Sequence, residues 1–259
     1  MILRIFRKIF FISFALIILI GCNSDSSTNP PDQNFPDYYP SGIGSTFKYS
    51  IVETDLIGNI IQSGTRNILY SGIFNFRGRD YLTQEDSLDF GSQSSINTFL
   101  FRKTETGIFY AIDTSQISFL IPDTLRQFVT LRDEMRLLFY PMTSGSSWSL
   151  YRITAVVQPG IEVKILDIIA TFDGTEQIDL NFTSETVNVS AQKVKYTLEL
   201  YSDIGSPPTM YTANMWFVEN IGLVKFEGNQ FIFELSGGGI VFEPSPDILT
   251  QELIEYEIE

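Results

Sequence analysis

Apolar residues along this chain recur at every second position, the spacing of a half-buried strand rather than of a helix. From Thr46 to Glu53, Phe47, Tyr49 and Ile51 share one face. Leu56-Ile57-Gly58-Asn59-Ile60-Ile61 reads as a hairpin with Gly-Asn at its tip. Asn67–Tyr70 and Ile73–Phe76 read as short strands, and Arg77-Gly78-Arg79-Asp80 turns the chain into Tyr81-Leu82. Leu100–Lys103 and Ile108–Ile112 flank a further turn, Thr104–Gly107. Residues 124–133 fit either a short helix capped at Pro122-Asp123 or an extended lead into a strand ending at Tyr140. Trp148–Val157 and Ile161–Phe172 form a long hairpin around Gln158-Pro159-Gly160.

Thr186–Tyr201 is a long strand. Its apolar positions shift from odd (Val187, Val189, Ala191) to even (Val194, Tyr196, Leu198), which predicts a bulge. Asn214–Val218, Gly222–Glu227 and Gln230–Leu235 follow as strands. In the tail, Ile254, Tyr256 and Ile258 alternate with Glu255, Glu257 and Glu259, the pattern of an edge strand guarded by charge. The fold class is therefore all-β, with antiparallel sheets forming a sandwich or a curved half-barrel.

Two stretches repeat one another 101 residues apart: Tyr38-Tyr39-Pro40-x3-Gly44-Ser45-Thr46-Phe47 and Phe139-Tyr140-Pro141-x3-Gly145-Ser146-Ser147-Trp148. The proline holds the chain extended and removes a donor, so pairing cannot begin there. The glycine can take positive φ for a sharp turn, and the aromatic residue fills the first buried position of a strand. Gly58 and Gly160, and likewise Gly72 and Gly174, are spaced by 102, and Phe101-x5-Gly107 loosely echoes Phe217-x4-Gly222. Either two similar β-units in tandem or one meander of similar hairpins accounts for the echo. The organisation expected is a leader over 1–21, a flexible tether over 22–37 and a first β-unit over 38–138. A second unit over 139–243, able to form one domain with the first, and an acidic tail or edge strand over 244–259 complete it.

The amino-terminal segment supplies an address. Arg4, Arg7 and Lys8 precede a 12-residue apolar core, Ile9–Ile20, short for a transmembrane helix. Leu19-Ile20-Gly21-Cys22 resembles the lipobox of bacterial lipoproteins, which implies cleavage after Gly21 and acylation of Cys22, with palmitate among the chains. Cys22 is the single cysteine, so the mature chain carries no disulfide. The polar, proline-bearing run from Asn23 to Asp32 reads as a tether. Asn23 rather than Asp after the cysteine favours the outer membrane over the inner, with the periplasmic or surface-facing leaflet left open.

Removal of the leader leaves 14 basic residues against 31 acidic ones, a net charge of −17. That sign repels nucleic acid and anionic membrane surfaces, so neither is an expected partner. The Tyr-Tyr-Pro-x3-Gly stretch, Leu138-Phe139-Tyr140-Pro141-x3-Gly145-x2-Trp148 and Trp216-Phe217-Val218-Glu219-Asn220-Ile221-Gly222-Leu223-Val224-Lys225 occur in this order. Together they resemble a family of uncharacterised β-rich lipoproteins of the bacterial cell envelope, over roughly residues 38–235. The resemblance implies fold and address and transfers no catalytic residue.

Histidine is absent, which removes Ser-His-Asp and Cys-His catalysis and ordinary His-based zinc sites. Gly237-Gly238-Gly239 precedes no helical pattern and reads as a turn rather than a phosphate loop. Two acidic groups, Glu85/Asp86/Asp89 in an expected loop and Asp167/Asp173/Glu176 near a hairpin end, have oxygen ligands but lack the spacing of a calcium loop. No catalytic, metal-ligating or cofactor-binding residue is assigned, and no cofactor is expected. Cys22 is the lipid-attachment site. The expected role is a membrane-anchored, non-catalytic envelope lipoprotein that binds a protein partner or a hydrophobic ligand through its sheet. A structural or adhesive module is the alternative, and a carboxylate-based glycan hydrolase the third reading.

Overall fold

The computed structural model describes residues 36–91, 93–112, 114, 121–182, 185–201, 206–230, 232 and 245–259. Cys22, the leader and most of the tether lie outside the described residues. Phe35–Glu259 forms one compact unit.

Alternation of apolar and polar residues produces twelve antiparallel strands. They are β1 Thr46–Thr54, β2 Ile60–Phe76, β3 Arg79–Asp89, β4 Ser94–Thr104, β5 Gly107–Ala111 and β6 Glu134–Phe139, followed by β7 Ser147–Gln158, β8 Ile161–Asn181, β9 Thr186–Leu200, β10 Thr209–Val218, β11 Gly222–Asn229 and β12 Ile248–Glu257. Their order in the single sheet is β6-β5-β4-β3-β2-β1-β12-β11-β10-β9-β8-β7, and the sheet curls until it is nearly a closed barrel. Of the two architectures expected, the curved sheet is the one formed. Each half of the chain is a six-stranded meander, and β1 joins them by pairing with β12.

The tail strand is an edge only in its last residues. Ile248–Glu252 pairs with β11 on one side, and all of β12 pairs with β1 on the other. Glu255 and Glu257 lie in the part that pairs with β1 alone, where charge guards the unpaired side as the alternation predicts. Of the expected strand Gln230–Leu235, Gln230 and Ile232 have helical backbone, and its other residues lie outside the described residues. The ambiguous segment resolves into a short 3-10 turn, Arg126–Phe128, an isolated bridge from Val129 to Ala155, and then β6.

The spaced glycines mark equivalent places in the two meanders. Gly44 and Gly145 both have positive φ, 101° and 77°. Ser45 and Ser146 then donate back to Gly42 O (3.1 Å) and Thr143 O (2.9 Å). Their own carbonyls accept from Tyr70 N and Phe172 N. Gly58 and Gly160 sit at hairpin tips, and Gly72 and Gly174 follow register breaks in β2 and β8.

Past those breaks each hairpin leaves the barrel wall. The β3–β4 ladder ends at Leu82–Phe101 and the β9–β10 ladder at Gln192–Phe217, so Gly72–Leu82 and Gly174–Ala191 become two arms. Each arm folds back over the outer wall. Tyr81 on the first donates to Glu134 of β6 (2.5 Å), and Glu176 on the second accepts from Trp216 of β10 (2.6 Å). The odd-to-even shift seen along β9 has this origin. β9 itself carries no extra residue: its register is continuous against β10 and shifts against β8 between Val194 and Lys193, where Asp173 of β8 is unmatched. Val187, Val189 and Ala191 are covered because the arm folds outward, whereas Val194, Tyr196 and Leu198 point into the barrel.

The second junction of the halves, β6 against β7, has no continuous ladder. Side chains span it: Trp148 Nε1 and Tyr196 OH both donate to Leu137 O (3.3 and 3.2 Å), and Tyr151 OH donates to Arg132 O (2.8 Å).

Candidate functional site

Three places can carry a function in such a fold: the barrel interior, the outer wall and the strand-end turns. The interior is filled by alternate residues of nearly every strand. Phe47, Tyr70, Phe101, Tyr110, Met215 and Phe226 are all under 5 % exposed. Tyr39 meets Phe101 edge-on at 5.2 Å, and Phe101 stacks with Tyr110 at 5.6 Å.

A polar group sits within this aromatic filling. Arg66 donates through Nε to both oxygens of Asp86 (2.9 and 2.8 Å) and through Nη1 to Gln251 Oε1 (3.0 Å). Tyr110 OH donates to Gln84 Oε1 (2.8 Å) and shares a hydrogen bond with Tyr39 OH. Arg66, Gln84, Asp86 and Gln251 are each buried. Burial pushes the hydroxyls of Tyr39, Tyr49, Tyr70 and Tyr110 upward, the last two well above the usual tyrosine range. The space left between Tyr39, Tyr49, Arg66 and Leu223 is a cavity of about 20 Å³, room for roughly one water. No acyl chain fits there.

The sequence-predicted acids do not converge. Glu85, Asp86 and Asp89 lie on strand β3 rather than in a loop, and alternation sends Asp86 inward to Arg66 while Glu85 points out. Asp167 is buried beside Arg152 (2.8 Å) and Lys164 (3.4 Å). Asp173 and Glu176 instead face Lys193, at 3.8 and 3.6 Å. Among the described residues no three acidic side chains could hold a metal ion. The Arg66–Asp86 pair was not legible in the sequence, where an arginine within an alternating stretch reads as an outward residue. Its one signal is parity, since Arg66 falls on the face of Ile68 and Tyr70.

Turns supply the clearest display. At the end of β1 remote from the tether, the β1–β2 turn exposes Leu56 (71 %), Ile57 (85 %), Ile60 (68 %) and Ile61 (51 %). This apolar tip is held in one shape. Asp55 accepts from Ile57 N (3.0 Å), Asn59 N (2.8 Å) and Asn59 Nδ2 (2.8 Å), and Gly58 N donates to Asp55 O (3.0 Å). The Asn59 side chain first, then these backbone donors, hold the Asp55 carboxyl below its ordinary range. The equivalent β7–β8 turn exposes Val156 and Ile161. The sequence placed the hairpin correctly but gave no sign that its aliphatic residues stay uncovered.

No protein-family model and no curated protein matches the chain. Among solved structures, a candidate lipoprotein from Parabacteroides distasonis is 13 % identical, with a TM-score of 0.47, over 87 % of this chain and all of that one. A candidate exported protein with a YmcC-like fold from Bacteroides fragilis is 11 % identical with a TM-score of 0.46, over 85 % of this chain and 98 % of that one. The hypothetical lipoprotein YmcC from Escherichia coli is 9 % identical with a TM-score of 0.32, over 80 % and 83 %. Likeness at this distance carries no residue role across.

Proposed function

We propose that this protein is a lipid-anchored, non-catalytic component of the bacterial cell envelope that presents the β1–β2 turn to a protein partner. The observation that carries the reading is the uncovered, side-chain-braced apolar tip of Leu56, Ile57, Ile60 and Ile61. A tip already ordered loses little conformational freedom on docking, which favours affinity. The filled interior turns the choice between partner and hydrophobic ligand toward the partner. Ligand pockets are typically roughly 300–1,000 Å³; the interior cavity beside Arg66 is about 20 Å³, and clefts of about 460 Å³ and 350 Å³ lie instead among Thr46, Leu69, Glu85 and Ile96 and among Ile178, Leu180, Lys225 and Glu252. The lipobox-like Leu19–Cys22 tetrad supplies the anchor, and several acyl chains on one residue give stable attachment.

The test is site-specific photo-crosslinking in the native envelope with full-length chain. A crosslinker at position 57 is expected to give one discrete adduct, absent from a chain labelled at Lys195 on the barrel wall. Leu56→Asp is expected to abolish that adduct without moving the urea midpoint, because Leu56 has no buried contact to lose. Equal adducts at both positions, or an adduct indifferent to Leu56→Asp, would overturn the reading.

A further inference from the structure

The net charge of −17 is not spread evenly. Arg77, Arg79, Arg102, Lys103, Arg132 and Arg136, six of the 14 basic residues after Cys22, gather on the first arm, on β4 and around β6. On the outer wall Arg102 and Arg136 lie over the Phe109 ring at 4.6 and 5.0 Å, and Arg136 also lies over Phe139 at 5.4 Å. Alternation accounts for the row, since Phe109 is the facing residue of both arginines across the two ladders. Asp37, Asp80, Glu105, Asp133 and Glu134 in the same region offset all but one of these charges, against a net −18 over the rest of the chain after Cys22: Arg77 lies 3.3 Å from Asp133, Arg79 lies 2.8 Å from Glu134, and Arg102 pairs with Glu134. The side chains of Arg77 and Arg79 nevertheless remain about half exposed, at 54 % and 49 %. Among the described residues no carboxylate pairs with Arg136. Beside the arginines, Ile73 and Phe74 on the same arm are 67 % and 52 % exposed.

Where the tether leaves the barrel bears on what this wall faces. Asp37, at the start of the described chain, is ion-paired to Lys103 (2.5 Å), the neighbour of Arg102. The 14 residues between Cys22 and Asp37 span at most about 50 Å, so the Asp37–Lys103 pair lies within that reach of the anchor.

We infer that the β4–β6 wall and the arm bearing Ile73, Phe74, Arg77 and Arg79 lie against the anionic headgroups of the membrane that holds the anchor. Arginines meet lipid phosphates while the exposed Phe74 and Ile73 enter the boundary between headgroup and acyl chain, the combination used by interfacial anchors. The acidic remainder of the barrel is repelled by the same surface, which turns it outward and leaves the β1–β2 tip free. The inference rests on the anchored reading above, but its surface contact is independent of the acyl chains and can be tested without them.

The measurement is vesicle flotation of the chain from residue 23 onward, which retains all twelve strands and the whole core. Binding is expected to phosphatidylcholine vesicles containing phosphatidylglycerol, little to phosphatidylcholine alone, and less as salt rises. Arg77→Gln and Arg79→Gln are each expected to lower partitioning about five-fold. Phe74→Ser, which removes an exposed ring and no polar contact, is expected to lower it as well. Equal binding to both vesicle types, indifference to the arginine variants, or dependence on Ile57→Ser instead would overturn the inference. Palmitate labelling of the full-length chain and of Cys22→Ala separates the two claims. Labelling lost in Cys22→Ala, together with no phosphatidylglycerol binding, overturns the surface contact and keeps the anchor. Binding without labelling does the reverse.

Discussion

Arg66 and Asp86 place two charges where a barrel of this kind otherwise holds rings and aliphatic chains. Each is within 5 % of full burial, and Gln251 and Gln84 complete the polar group around them. Removing one partner leaves an uncompensated buried charge, a loss of roughly 3–5 kcal/mol, while replacing both with hydrocarbon is often neutral. Asp86→Leu is therefore expected to lower the midpoint of equilibrium urea unfolding sharply, and Arg66→Met combined with Asp86→Leu to recover most of the loss. A double variant no better than the single one would mean that the pair is needed for more than mutual neutralisation. Sequence alternation could place Arg66 on the inward face, but its partner is 20 residues away on another strand. The meeting depends on the β2–β3 register, which single-residue periodicity does not specify.

The two arms show how one extra residue redirects a strand. In β8 the register against β9 passes from Phe172–Val194 to Gly174–Lys193, leaving Asp173 unmatched, and β2 does the same at Ser71. A bulge bends its strand and increases the local twist, and both hairpins turn onto the outer wall just beyond it. Trp216 lies under the second arm, between Lys193 and Lys225 at 5.2 and 5.3 Å, and is only 5 % exposed. Deleting Asp173 keeps every facing pair and removes only the bulge. The arm is then expected to straighten, and Trp216 in a Trp148→Phe background to become accessible to acrylamide quenching. Unchanged quenching would assign the bend to the packing of Ile178 and Leu180 rather than to the bulge. The glycines at 72 and 174 were legible as paired turn signals. That they follow bulges and not hairpin tips was not, because a glycine permits several backbone conformations and only the neighbouring ladder selects one.

For the molecule as a whole, the aromatic filling sets an alkaline limit. Tyr39, Tyr49, Tyr70, Tyr110 and Tyr196 are raised by burial, and burial pushes Tyr151 up to about 12. In the unfolded chain tyrosines release their protons near pH ~10. Above that value the folded state binds more protons than the unfolded one, so stability falls as pH rises. Absorbance at 295 nm is expected to rise in two stages, the second coinciding with loss of the far-ultraviolet signal above pH ~10. Complete ionisation of all tyrosines with the strand signal intact would contradict a closed, filled interior.

The sequence by itself determined the elements that depend on neighbours along the chain. Period-two alternation defined most strands, and Pro40/Gly44 and Pro141/Gly145 marked where each meander opens. The 102-residue spacing of Gly58/Gly160 and Gly72/Gly174 carried the similarity of the halves. Tertiary structure alone decided what depends on residues far apart. It joined β1 to β12, so that Ile248–Glu252 gained partners on both sides while the charge-patterned end stayed paired with β1 alone. It left β6 and β7 bridged by Trp148, Tyr151 and Tyr196, brought Arg66 to Asp86, and uncovered the aliphatic tip at Leu56–Ile61. The physical reason is that side-chain period specifies a face, whereas pairing partner, closure and cover are set by register and by which surfaces remain once the sheet has curled.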